Sequence, residues 1–546
     1  MKIIKKMFSV CAAAILFIFF SCASTDKPAE FLLLPDYTNE DVRKTEIARI
    51  EEIQKTDSVY ALWRAILLDD EKTVESSAEI VKTEYKAAIE KSDWFTAFRL
   101  YKSLFAVGID VSDLEKNAVE LEKLYIDLVP GLKNEKSDSD LTGEKSGVSQ
   151  YINGTVTIWV DKGIKVENGV GYADRVIGSG FFISKDGYIV TNHHVISDLV
   201  NPRYEGYARL FIKLAYDSET RIPAKVIGWD AVMDLALLKT EVDAPYVFSL
   251  GSSEDLDVGD KIYAIGSPVG LERTLTSGIV SATNRKLFTT GSVMQIDAAV
   301  NSGNSGGPCI DENGNVQAIV FAGMLQYEGL NFAIPVEYLI SELPGLFNGG
   351  EYKHSWFASY GHTIKRFGKD FGLSVQYVMP MGSADRAKIK SGDIITEVNG
   401  KRIFTLEDMQ SVLIGSQSGS IVSVKYISDY EEEKSCAIFL AQRPKSPGYE
   451  IYKSDVIASS FVPIYGMKLQ SVSSSSKRKY AIVDILKGSI ADESGFSEND
   501  PVEIRSIKFN GDKSLIYAEI YAKNRKKGYL DISMGLTASL DSPYYF

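Results

Sequence analysis

Apolar positions in the first third of the chain recur at intervals of three and four, as in Trp94, Phe98, Tyr101 and Phe105, which fall on one helical face. Between Pro35 and Pro130 there is no proline and a single glycine, Gly108. The spacing therefore predicts an α-helical domain over residues 36–130, with about four helices. The stretch "KNEKSDSDLTGEKSGVSQ" is polar, charged and rich in Gly and Ser, and residues 131–150 read as a linker. From Tyr151 the period shortens to strand-like runs separated by Gly, Asp and Asn. "GFFIS", a "KDG" turn and "YIVT" predict a hairpin whose second strand delivers two adjacent histidines, His193 and His194. "AKVIGWDAVMDLALLKT" gives a strand, a polar break and a buried strand, and many such short runs indicate an antiparallel barrel or sandwich.

Length and composition add limits. At 546 residues the chain is too long for one core and divides into several domains. Its start, "MKIIKKMFSVCAAAILFIFFSCAS", has a basic beginning and an apolar run from about Val10 to Phe20, too short for a membrane span and suited to a signal peptide over residues 1–21. Ser21 followed by Cys22 resembles a bacterial lipobox, which implies cleavage before Cys22 and lipidation of it. An ordinary cleaved signal or an uncleaved anchor is the alternative. Either way the expected location is the bacterial cell envelope, on its periplasmic side, and the lipid would tie a lipoprotein to the membrane. Losing Lys2, Lys5 and Lys6 takes the formal charge from −13 to −13 − 3 = −16, which argues against a nucleic-acid partner. The four cysteines form no zinc-like spacing with histidine and no Gly-rich loop ends in Lys-Ser or Lys-Thr, so no metal and no cofactor are expected.

The chemistry gathers at "QIDAAVNSGNSGGPCI", residues 295–310, where Gly303, Gly306 and Gly307 surround Ser305. Such glycines let the backbone turn tightly, expose a hydroxyl and aim amides at one spot. A serine hydroxyl needs an imidazole to take its proton and a carboxylate to fix that imidazole. His194 and Asp234 supply both, each at a strand end; Asp230 is the competing carboxylate, placed in the turn, whereas Asp234 abuts the buried run "LALLK".

Together, "GSGFFIS", "TNHHV", "DLALLK", "IGSPVG", "TLTSGIVSA", "DAAVNSGNSGGP" and "NFAIP" resemble the HtrA (DegP-like) serine proteases of the chymotrypsin fold, in consistent order across about residues 150–340. The resemblance implies a trypsin-like protease domain over residues 151–343. Ser305 is then the nucleophile, His194 the general base and acid, and Asp234 the orienting carboxylate. The amides of Gly303 and Ser305 form the oxyanion hole, and His193 is a bystander or helix-start residue. Ala299, six residues before Ser305, lies at the base of the specificity pocket; a methyl group there implies cleavage after Val, Ala, Ile or Leu in unfolded polypeptides, with Asp297 the nearest carboxylate and "VFAG", residues 320–323, pairing with the substrate. Relatives commonly assemble as a homotrimer.

"GLSVQYVMPMGSADRAKIKSGDIITEVNGKRI" resembles the PDZ domain that follows such catalytic domains, giving a PDZ domain over residues 355–443 that would bind peptide C-termini. Ala358 stands where the carboxylate-binding loop carries Gly, which weighs against that capture. A weaker copy over residues 456–546, with Gly466 in the loop position, reads as a second PDZ-like domain, the alternative being an unrelated β-rich tail. The expected fold class is thus multidomain: an N-terminal α-helical region, an all-β chymotrypsin-like double barrel, then PDZ (α+β) domains. The expected function is extracytoplasmic serine endopeptidase, against a non-catalytic lipoprotein scaffold or a chaperone-like binding protein.

Overall fold

The computed structural model describes residues 34–132, 148–202, 206–267, 274–286, 291–301, 303–323, 330–428, 432–472, 478–524 and 530–546. The signal peptide, Cys22 and most of the linker lie outside the described residues.

The helical region has five helices rather than about four: α1 Glu40–Ile53, α2 Ser58–Leu68, α3 Glu71–Glu90, α4 Trp94–Ala106 and α5 Ala118–Leu128. The extra break is easy to miss because none of the boundaries uses proline. Each helix starts instead on a side-chain cap, Asn39, Asp57, Asp70, Asp93 or Asn117, whose oxygen accepts from an amide in the first turn. Asp69 ends α2 in the left-handed conformation at φ 54°, a role more often filled by glycine.

The β-rich region forms two closed barrels. The first contains β1 Thr155–Glu167, β2 Val170–Phe182, β3 Tyr188–Thr191, β4 Arg209–Leu214, β5 Asp217–Asp230 and β6 Leu235–Thr240. They run in the order β5-β4-β1-β2-β3-β6, and β6 pairs back onto β5. The second contains β7 Lys261–Gly266, β8 Thr274–Arg285, β9 Val293–Ile296, β10 Pro308–Ile310, β11 Val316–Gly323 and β12 Asn331–Pro335, closed through β10 and β7. Val156, Ile158, Phe182 and Leu238 fill one interior, and Ile262, Val280, Ile296 and Val320 the other. Alternating inward side chains on closed sheets leave no open edge, and they fix the strand ends from which the reactive groups project.

A six-stranded sheet follows, its main path ordered Ser359–Arg366, Lys369–Val378, Ile394–Val398, Ile421–Ile427 and Glu433–Phe439, with Lys401–Arg402 paired to Ile394–Val398 and the helix Leu406–Ile414 against the sheet. The helical region shares its core. Trp63, fully buried, donates its indole N–H to the Ala437 carbonyl at 2.8 Å, and Arg99 donates to the Gly419 carbonyl at 2.7 Å.

Gly448–Ala538 form a separate compact unit, a five-stranded antiparallel sheet in simple sequential order. Ser539–Phe546 group with residues 36–447, and their backbone bonds to the strand Ser359–Arg366.

Candidate active site

Strand β3 ends at Thr191, Asn192 caps the next helix, and that helix, His193–Val200, begins at the first histidine. The histidines therefore point into different surroundings. His194 offers Nδ1 to Asp234 Oδ2 at 2.7 Å, and its own amide donates to Asp234 Oδ1 at 2.8 Å. Holding both backbone and ring, Asp234 fixes where the imidazole sits and leaves Nε2 facing outward. His193 contributes its amide to the Asp234 carbonyl at 3.2 Å, while burial of its ring holds the imidazole below the usual histidine range. Asp234 occupies the left-handed region at φ 56°, one of the few non-glycine types that tolerate it, and the Asn192 side chain braces its carbonyl at 2.9 Å.

Ser305 lies on the loop between β9 and β10. Gly303 and Gly306 adopt φ 104° and 84°, conformations that a side chain would strain. A Cβ at Gly306 would meet the Ser179 carbonyl and Thr191 Oγ1 at 2.3 Å and the Asn192 amide at 3.0 Å. This contact seats the serine loop beside the strand end that leads into His194. Ser179, on β2, fastens it: its amide donates to the Ser305 carbonyl at 2.8 Å and its hydroxyl to the Gly303 carbonyl at 2.6 Å. The Ser305 hydroxyl itself donates to the Phe321 carbonyl at 3.2 Å. Among the described residues, no bond joins Ser305 to His194, and neither the Gly303 nor the Ser305 amide donates within the fold.

Ala299 is exposed, and its carbonyl accepts from Thr276 Oγ1 at 2.9 Å. Asp297 is committed to the barrel: its Oδ1 accepts the Ile279 amide at 2.6 Å.

Asp230 lies apart from the His194 ring. Its fully buried carboxylate accepts from the Val232 and Met233 amides at 2.8 and 3.2 Å and lies 2.7 Å from His354 Nε2. Burial opposes the charge, but His354 and the turn amides outweigh it and hold Asp230 below the usual carboxylate range. Burial, reinforced by the charge of Asp230, pushes the neighbouring Glu342 far upward. Asp230, Glu342 and His354 are the one group among the described residues whose ligand atoms could hold a metal, all within 4.8 Å, but the direct His354–Asp230 bond already satisfies the pair. Reading the sequence missed this cluster, since 124 residues separate the bonded partners.

Paired closed barrels carrying a His–Asp bond and a glycine-flanked serine define the class as chymotrypsin-type peptidase domains. The comparisons agree in kind. Residues 178–319 match the trypsin-like peptidase domain family and 374–427 a PDZ domain family; 448–540 match the TP0546 family PDZ domain, and 41–125 a domain of unknown function, DUF8517. The chain is similar to the "Probable periplasmic serine endoprotease DegP-like" of Hahella chejuensis, 36% identical over 282 residues, covering 49% of this chain and 57% of that protein. The protein of the same name from Bartonella henselae is 37% identical over 268 residues, covering 47% and 51%. A crystal structure of the serine endoprotease from Yersinia pestis is 26% identical with a TM-score of 0.40, covering 55% of this chain and 99% of that one. The chain thus carries a trypsin-like peptidase domain with PDZ domains and resembles the DegP-like serine endoproteases. It spans about half the length of the curated relatives it matches.

Proposed function

We propose that the chain is a serine endopeptidase of the bacterial envelope acting on unfolded polypeptides. The observation carrying this reading is the double hold of Asp234 on His194, ring and amide, beside a serine loop fastened to the same barrel. Asp234 accepts from Nδ1–H, so the Nε2 lone pair is available for the Ser305 proton. Residues 320–323 pair with the extended substrate, whose amide takes the Phe321 carbonyl and frees the Ser305 hydroxyl to turn to His194. As Oγ bonds to the scissile carbonyl carbon, His194 takes the proton, and the oxyanion is met by the Gly303 and Ser305 amides, worth about 3–4 kcal/mol. The C–N bond then breaks as His194 passes the proton to the leaving amine; water, deprotonated by the same imidazole, attacks the acyl carbon, and the C–Oγ bond breaks as His194 returns that proton to Ser305 Oγ.

Ala299 gives the pocket base a methyl group, and Asp297 is occupied by Ile279, so the favoured residue before the scissile bond is aliphatic. The PDZ domains take peptide strands, and assembly is as a homotrimer. Cleavage before Cys22 with lipidation anchors the chain to the membrane.

A fluorophosphonate probe tests the central claim. Ser305→Ala and His194→Ala should abolish labelling and casein cleavage, while His193→Ala retains most of both. A folded His193→Ala as inert as His194→Ala would overturn the assignment of the base. Mass spectrometry of the mature N-terminus checks the anchor, which fails if that residue is other than Cys22.

A further inference from the structure

The first PDZ sheet has an edge strand, Ser359–Arg366, and the last residues of the sequence lie along it. Ser359 and Phe546 exchange both backbone bonds at 3.0 Å, the Gly361 amide donates to the Tyr544 carbonyl at 3.2 Å, and Tyr360 pairs antiparallel with Tyr545. This is strand addition, with the helix Leu406–Ile414 forming the opposite wall. From that wall Gln410 Nε2 donates to the Pro543 carbonyl at 2.7 Å. The Phe546 side chain is 1% exposed and lies in the core with Phe357, Met409 and Leu413. Its ring centroid is 6.2 Å from that of Phe357. Two residues earlier the Tyr544 ring stacks on His362 at 4.0 Å. Upstream, the almost fully buried Arg443 pairs with Asp541.

Ala358 does not obstruct this arrangement. It takes φ 66°, the conformation expected of the glycine it replaces, and its Cβ sits where Gly382 lacks one: a Cβ on Gly382 would come within 2.7 Å of it. Gly361 also matters, since a Cβ there would stand 2.2 Å from the Ser374 carbonyl and 3.1 Å from the Phe546 ring.

We propose that Ser542–Phe546 is a built-in ligand of the first PDZ groove, so that an external peptide enters only by displacing it. The competing ligand is an extended peptide with an aromatic side chain in the Phe546 pocket and another two residues earlier, against His362. The proposal rests on the PDZ reading within the proposed function and requires no peptidase activity.

A segment tethered to its own groove competes at an effective concentration of order millimolar. A free peptide that binds the open groove at about 10 μM should therefore appear roughly a hundredfold weaker against the intact chain. The probe is fluorescein-labelled Ser-Pro-Tyr-Tyr-Phe, followed by anisotropy in a Ser305→Ala background so that proteolysis has no part in the result. The intact chain is compared with Phe546→Asp and with a chain lacking residues 541–546. Strong binding to both altered chains and about a hundredfold weaker binding to the intact one is expected. Equal affinity for all three, or binding to none, overturns the proposal. Should the shortened chain misfold, hydrogen exchange decides: the Ser359 and Gly361 amides should exchange slowly in the intact chain and faster in full-length Phe546→Asp. Unchanged exchange refutes the docked strand. Absence of fluorophosphonate labelling in the unmutated chain would refute the peptidase reading and leave this one standing.

Discussion

Two carboxylates four residues apart, Asp230 and Asp234, should respond oppositely to the same change, Asp to Asn. In Asp234→Asn the backbone has little reason to move, since Asn also tolerates φ 56°. The carboxamide can still accept from the His194 amide, and the side chain is 15% exposed, so stability should fall by no more than about 1–2 kcal/mol. Activity should collapse. The amide can present N–H to Nδ1, reversing the tautomer and turning the lone pair away from Ser305, which costs about 10⁴ in kcat, or about 5.5 kcal/mol of barrier. In Asp230→Asn the reverse holds. Asp230 is 0% and His354 5% exposed, and removing one member of a buried pair costs about 3–5 kcal/mol because the other is left uncompensated. Urea unfolding gives the stability side, and single-turnover cleavage of an unfolded substrate, at a temperature where each variant is folded, gives the catalytic side. If folded Asp230→Asn loses activity as completely as Asp234→Asn without losing stability, the assignment of the two roles fails.

Two further outcomes are expected. Mass spectrometry of a digested, denatured substrate should find most cuts after Val, Ala, Ile or Leu; a majority after Lys or Arg would instead make Asp297 the specificity residue, at odds with its bond to Ile279. Burial, and secondarily the nearby Lys286 charge, holds His362 down to about 4, with Tyr360 and Tyr544 its other neighbours. Below its ordinary value of 6.5 the unfolded chain binds the proton and the folded one does not, so this contribution is complete above pH 6.5 and is lost as pH falls toward 4. The shift sets a ceiling of about 3 kcal/mol, reduced to on the order of 1–2 by partial exposure. The denaturation midpoint of the wild type should fall more steeply from pH 7 to 4.5 than that of His362→Gln, and parallel curves would refute the assignment.

What could be read from the sequence is what local chemistry determines. The three-and-four spacing around Trp94 marks a helix, although the buried face is that of Ala97, Leu100 and Leu104 while Phe105 is 68% exposed, and the apolar run "YIVT" marks a strand ending at the histidines, with Ile189 and Val190 buried in two different cores. Glycines around Ser305 announce a turn since few other residues adopt φ near 84–104°. Helix breaks made by Asp57 and Asp69 left no proline or glycine to find. The His354–Asp230 bond and the Phe546 pocket were illegible for a different reason. Their partners are 124 and 187 residues apart, counting 546 − 359 for the backbone pair, and only the assembled fold brings them together. The room for the Ala358 Cβ was equally hidden, because it comes from the missing Cβ of Gly382, 24 residues away, counting 382 − 358.

The two edges of the first PDZ sheet are covered by unlike means, which bears on how it could be regulated. An open edge invites pairing with any extended chain. At the Glu433–Phe439 edge the cover is the helical region, held by the buried Trp63 and its bond to Ala437, by Tyr60 against Phe439 at 4.8 Å, and by a shared core; removing it would expose several large side chains at once. At the Ser359–Arg366 edge the cover is a few residues held by three backbone bonds, one glutamine contact, one ring stack and one buried phenyl group. Another extended peptide of similar chemistry can reproduce each of those interactions, whereas no short peptide reproduces the helical face. One edge is therefore built to stay closed and the other to exchange, so any control exercised through this domain would act at the Phe546 pocket.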